Sequence, residues 1–394
     1  MPVWLDAIPE KAPKIARPDT RRWLLFLAFI MLGGIALTLW CWTSERTGFV
    51  FWFTALGLPF CTWGLIFGLR RFAYKAGQVG AESRNVEREA LINSEILRGR
   101  RCAWILGTYI QSPAGNKADD LLEAMEVAAP AVDFSYPRGC DKPVRYAALP
   151  EYQTDLTKAL KAAVNKLTTR VEGIVQPLPP ALSCWLVLDC DNDLYPLIEE
   201  RLKADLSLKT GRIFRLMTGK GLGAFDVWLD KRWDTPGILV VITLSLPASP
   251  REEDADAVSM VVLSNRNTHA WPDALRLHRP ERGTETTLTK TLTRALLWAK
   301  TRPNELKGSW ISGPTLTSGS GWNNACEENG VKFSLSEDNF SIDPVLGYTG
   351  HAAPWLAITL ADAAFEQRGA QVIAAQPTTD KDDVWVAVIT KEEV

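Results

Sequence analysis

Residues 218–246 read TGKGLGAFDVWLDKRWDTPGILVVITLSL: a Gly-rich turn, a helix-length segment, then an unbroken apolar run. The turn TGKGLG at 218–223 opens a helix over 221–232, and its backbone amides are placed to meet an anion. It is not a Walker-type phosphate loop, because no glycine stands five residues before Gly219–Lys220 and no Ser or Thr follows the lysine. The run GILVVITLSL at 237–246 shows no polar alternation, which predicts a strand covered on both faces. AVSMVVLSN at 257–265 has the same character, and the two read as a pair of central strands.

Working outward, the same alternation recurs. WILGTYI at 104–110 and CWLVLDC at 184–190 are further buried strands, and 307–311, 370–374 and 384–390 add three more. Helical spacing appears at 117–127, 156–171, 194–205, 286–299 and 352–367. Strands alternating with amphipathic helices predict a layered α/β body over residues 100–394.

The front of the chain has a different chemistry. Residues 23–42 and 49–69 contain no charged side chain, and only TSERTG separates the first run from the second. Twenty helical residues rise about 30 Å, the thickness of a bilayer's hydrocarbon core. We therefore expect a transmembrane hairpin over 23–69, a basic N-terminal segment over 1–22 and a linker helix over 70–99. Lys11, Lys14, Arg17, Arg21 and Arg22 precede the first span, and Arg70, Arg71 and Lys75 follow the second. This bias predicts a two-span protein of the bacterial inner membrane, with both termini and the main domain in the cytoplasm. The absence of charge within either span argues against a channel or transporter.

Of 394 residues, 46% are hydrophobic and 23% charged, and the formal charge is −2. That balance supports a large core and gives no basic surface for nucleic acid. Seven cysteines without a paired spacing predict reduced thiols, and the three histidines fall at no zinc-ligand spacing from them, so neither a metal nor a cofactor is expected.

Three sites invite chemistry. Asp189, Asp191 and Asp193 end an apolar strand, where open α/β sheets place ligands. Such a set suits Mg²⁺ or a nucleophilic aspartate with a second acid; it equally suits a solvated turn with Asn192 and Asp193 capping the next helix. His351 lies in LGYTGHAAPW at 346–355, a glycine-rich turn entering an alanine-rich helix. His269 and His278 lie in NTHAWPDALRLHRPERG and read as surface histidines.

In order along the chain, WILGTYIQSPAGN, TGKGLGAFDVWLDKRWDTPGILVVITLSL, EEDADAVSMVVLSN and GYTGHAAPWLAITLADAAFEQRG resemble the successive motifs of thiolase-like ketosynthases over about residues 100–392. The resemblance places the nucleophile elbow near Thr218, where no cysteine stands, and a catalytic histidine at Tyr348. His351 is displaced three positions, and ISGPTLTSGSGWNNACEENG lacks the family's other histidine. The resemblance thus implies a degenerate thiolase-like body with no catalytic set, a non-enzyme. With its hairpin anchor, the whole layout is similar to type VI secretion adapter proteins for lipase effectors. That likeness implies an adapter or chaperone that binds a phospholipase effector and loads it onto a VgrG-type spike. The alternative is a divergent membrane-anchored acyl-transfer or metal-dependent enzyme using His351, Thr218 or the Asp189–Asp193 cluster.

Overall fold

The computed structural model describes residues 5–138, 140–378 and 382–392. Its contacts divide the chain into two units, with the boundary between Glu95 and Ile96. In the first unit, a helix runs over Thr20–Cys41 and is capped by the Asp19 side chain, which accepts from the Arg21 amide at 3.0 Å. The returning chain forms a short helix at Phe49–Trp52, a π-helical stretch at Phe53–Gly57, and then one long helix over Leu58–Gly99. Pro59 has no amide hydrogen for an i→i−4 bond, and the wider turn immediately before it absorbs that defect. The polar segment expected to be a separate linker helix is continuous with the second apolar run.

Two close contacts join the hairpin. The Trp63 indole donates to the Trp23 carbonyl at 3.0 Å. A Cβ on Gly34 would sit 2.2 Å from the Pro59 ring, so only glycine allows the helices this approach. Among the described residues two helices are long and apolar enough to cross a membrane, and only 6% of the first one's apolar window is buried. A soluble core hairpin would bury that face, which disfavours the core interpretation.

In the second unit, strands β1 Cys102–Gln111, β4 Ser183–Cys190, β5 Phe214–Leu216, β6 Gly237–Ser245 and β7 Ala257–Ser264 form one half of a large sheet. β8 Leu275–His278, β9 Glu281–Gly283, β10 Gly308–Ser312, β11 Asn339–Ser341, β12 Gln371–Ala375 and β13 Val384–Thr390 form the other half. The strand order is β11-β10-β12-β13-β8-β1-β7-β6-β4-β5, with β9 paired to β13. β2 Asp133–Ser135 and β3 Val144–Tyr146 make a separate antiparallel pair. β6 and β7 are buried at every position, as their unbroken apolar runs require.

Two helices are central. The elbow helix, Gly221–Lys231, and the helix Ala353–Arg368 share a core with β4, β6, β7, β12 and β13, so both halves of the sheet contribute to it. Ala353–Arg368 buries eleven residues and packs against strands of both halves. Its alanines explain how: a helix enclosed on most sides needs small side chains to let strands approach. The opposite face of the first half is covered by Leu156–Val175 and Tyr195–Thr210.

The carboxyl end of the elbow helix is tied down by ions. Arg279, 1% exposed, pairs with Asp226 at 2.6 Å and with Asp230 at 2.9 Å. Arg98, from the last turn of the long helix, chelates Asp230 at 2.6 and 3.0 Å. Arg101 donates to the Leu229 and Asp230 carbonyls at 3.3 Å. Burial pushes the Asp230 carboxyl upward, but hydrogen bonds from Arg98 and Arg279 outweigh it and hold the group well below the usual carboxylate range.

His278 departs from its sequence reading. It ends β8, is 6% exposed, and its Nε2 lies 2.8 Å from the Thr390 hydroxyl. Leu275 and Leu277 face the core and draw their strand in with them, but a four-residue strand between polar loops gives almost no periodic signal.

Candidate active site

β1, β4 and β6 run parallel to one another, so Gln111, Cys190 and Ser245 end at one edge of the body. The turn before the elbow helix lies at that edge. Gly219 has φ 119° and Gly221 φ 53°, so the chain enters the helix through two left-handed glycines about Lys220, the N-cap. Thr218 is exposed one residue before this turn.

Asp189 lies beneath it, 1% exposed. One carboxylate oxygen accepts from the Gly221 amide at 2.8 Å. The other has no hydrogen-bond partner among the described residues and lies 3.8 Å from the Lys220 ammonium. Burial raises the Asp189 pKa; His351, Lys220 and the Gly221 amide oppose the rise, and Asp191 adds to it. His351 sits in the 3-10 turn Gly350–Ala352 that leads into the Ala353–Arg368 helix. Its Nε2 is 3.0 Å from the Leu244 carbonyl. A carbonyl only accepts, so Nε2 carries the hydrogen of this bond, and in the neutral tautomer that fits it Nδ1 is the acceptor.

The three aspartates do not act together. Asp191 accepts from the Leu246 amide at 2.7 Å and ties β4 to the end of β6. Asp193 pairs with Arg138 at 2.7 Å. The helix begins at Tyr195 with Leu194 as its N-cap, so neither Asn192 nor Asp193 caps it. Among the described residues no group of three His, Cys, Asp or Glu side chains converges as a metal site would need. Tyr348 donates its hydroxyl to the Gln376 carbonyl at 2.9 Å, and its backbone bonds Glu253 and Ala255. It holds the loop in place.

A row of hydroxyls at the site escaped the sequence reading. Asp189 stands beside Thr243 in register, and Thr243 beside Ser259. Thr243, Ser259 and Thr349 are at most 1% exposed, and their hydroxyl oxygens have no partner among the described residues. The signal was present: each of the three strand positions is a polar residue on the side of its strand that Val187, Val241 and Val261 bury against the helices.

No protein-family model matches the chain, and no curated protein does. Solved structures do. The ishigamide ketosynthase/chain length factor is 14% identical, with 74% of this chain and 100% of that one covered at a TM-score of 0.53. The ketosynthase from module 6 of the bacillaene synthase of Bacillus subtilis 168 is 8% identical, covering 74% and 72% at 0.54. The oxazolomycin ketosynthase domain of Streptomyces albus JA3453 is 11% identical, covering 74% and 76% at 0.52. The body therefore has the thiolase-like fold of ketosynthases.

These likenesses correct one expectation. The chain was read as a non-enzyme because Thr218, Tyr348 and His351 depart from the ketosynthase motifs. The body has an enzyme fold, and its elbow carries a buried carboxylate beside a lysine and a histidine. The absence of a cysteine at position 218 leaves that constellation in place. Nothing in the likenesses bears on type VI secretion.

Proposed function

We propose that the protein is a divergent, membrane-anchored acyl-transfer enzyme whose working groups are Asp189 and His351. The observation that carries this reading is the unbonded oxygen of Asp189, buried at the amino end of the elbow helix and acted on by Lys220 and His351. Without a cysteine the acyl group passes directly to water or an alcohol. His351 Nδ1 takes the proton of the attacking hydroxyl as its oxygen bonds the acyl carbon. The carbon–sulfur bond of a thioester then breaks, and Asp189, in its protonated form, gives its proton to the departing thiolate. The imidazolium returns a proton to the Asp189 carboxylate and restores both groups. First-turn amides of the elbow helix, which lack helical acceptors, and the helix's positive end favour the developing oxyanion.

The test is release of free thiol from short acyl-thioesters by the full-length, detergent-solubilised chain. Asp189→Asn and His351→Ala are each expected to lower the rate by about 10² to 10⁴, the usual worth of a positioned acid or base. Turnover unchanged in both folded variants, or no turnover with any acyl length, would sink the proposal.

A protein partner is a second reading, favoured by Phe134 and Tyr136, 70% and 66% exposed beside the β2–β3 pair. The phospholipase effector and VgrG-type spike implied by the sequence resemblance are the partners to seek. Co-purification of either with the wild-type chain, lost in Phe134→Ser/Tyr136→Ser, is the outcome expected of it.

A further inference from the structure

Beside the start of the first apolar helix, a cavity of about 280 Å³ is lined by Arg17, Thr20, Arg71, Lys75 and Gln78, with aromatic walls. Its charge is one-sided. Three cations line it and no carboxylate does. Arg17, Arg71 and Lys75 make no ion pair or hydrogen bond among the described residues. The neighbouring acid, Asp19, is already engaged by the Arg21 amide and the Arg22 guanidinium. Gln78 gives its amide nitrogen to Glu82 at 2.9 Å, and its oxygen is buried without a partner among the described residues. Three like charges around one cavity repel one another unless an anion sits among them. The unpartnered amide oxygen in addition asks for a hydroxyl donor.

The place of the cavity along the helices identifies the anion. Thr20 is the first residue of the Thr20–Cys41 helix. Arg71 and Lys75 follow directly on the second apolar run. If both helices span, this is the level at which hydrocarbon gives way to headgroups.

We propose that this cavity binds the headgroup of an anionic phospholipid of the phosphoglycerol class. Its phosphate sits among Arg17, Arg71 and Lys75, and a glycerol hydroxyl donates to Gln78. The inference rests on the membrane-spanning part of the proposed function and is independent of Asp189 and His351.

The experiment is native mass spectrometry of the full chain released from detergent, after addition of phosphatidylglycerol, phosphatidylcholine, phosphatidic acid or inorganic phosphate. Phosphatidylglycerol is expected to be retained at least about tenfold better than phosphatidylcholine. Arg71→Gln/Lys75→Gln should reduce that retention by about thirtyfold, the worth of two juxtamembrane charges. Gln78→Leu should spare total anionic-lipid binding and abolish the preference for phosphatidylglycerol over phosphatidic acid. Equal retention of all lipids, an unaffected double variant that elutes as a folded species, or inorganic phosphate binding as tightly as the lipid would overturn the assignment. Extraction of the wild-type chain from membranes by alkaline carbonate would instead overturn the spanning reading itself.

Discussion

Asp362 shows how single groups set the pH response of the body. It lies in the Ala353–Arg368 helix, accepts from the Thr108 hydroxyl at 3.3 Å, and is pushed up to about 6 by burial. A carboxyl whose pKa is higher folded than unfolded stabilises the fold below about pH 4, and that contribution is lost as pH rises through 6. Asp362→Asn mimics the protonated state at every pH. The thermal midpoint of wild type minus that of Asp362→Asn should therefore be highest near pH 4 and fall as pH passes 6, which a melting series reads directly. His278 acts with the opposite sign. Burial and Arg276 lower it to about 4, so its contribution is present above about pH 6.5 and is lost as pH falls through 4. At this scale the sequence was half legible. His351 stood out because a histidine in a glycine-rich turn is conspicuous. Asp189 was singled out only as one of three, because Asp-x-Asp-x-Asp spacing does not reveal that the Leu246 amide claims Asp191 and Arg138 claims Asp193.

At the scale of elements, the long apolar strands were legible because both faces are buried and every position says so. The β2–β3 pair, β5, β8, β9 and β11 are three or four residues long, too short to show a period against their loops. The elbow helix was found from its glycines, but its ionic attachment was not, since Arg98, Asp226, Asp230 and Arg279 are far apart in sequence. Arg279 is the residue on which that attachment turns. Arg279→Met removes one guanidinium from between two carboxylates that remain out of water, and should cost about 3–5 kcal/mol. Denaturant unfolding followed by tryptophan fluorescence checks this, and a loss below about 1 kcal/mol would show that the pairs are not held as described. Gly99 offers a second test of the same region. A Cβ there would lie 2.2 Å from the Trp298 ring, so Gly99→Val should destabilise the body while an exposed Gly80→Val should not.

For the whole molecule, the thiolase-like architecture persists at 8–14% identity to ketosynthases because burial and strand order, rather than particular residues, maintain it. The expected orientation gives a prediction. Cys140 is exposed on the body, whereas Cys102, Cys184, Cys190 and Cys326 are buried. A membrane-impermeant maleimide should label Cys140 in inside-out vesicles and leave it unlabelled in intact cells; labelling from outside the cell would reverse the topology. The elbow helix gives the molecule one further property. Its amino end forms the floor of the site, and its carboxyl end is gripped by the terminal arginines of the chain that rises from the apolar hairpin. Eleven residues of α-helix resist compression far more than they resist tilting. A displacement of Arg98 or Arg101 is therefore passed to the Lys220 turn as a rotation of the whole helix, so the two ends of this short element do not move independently.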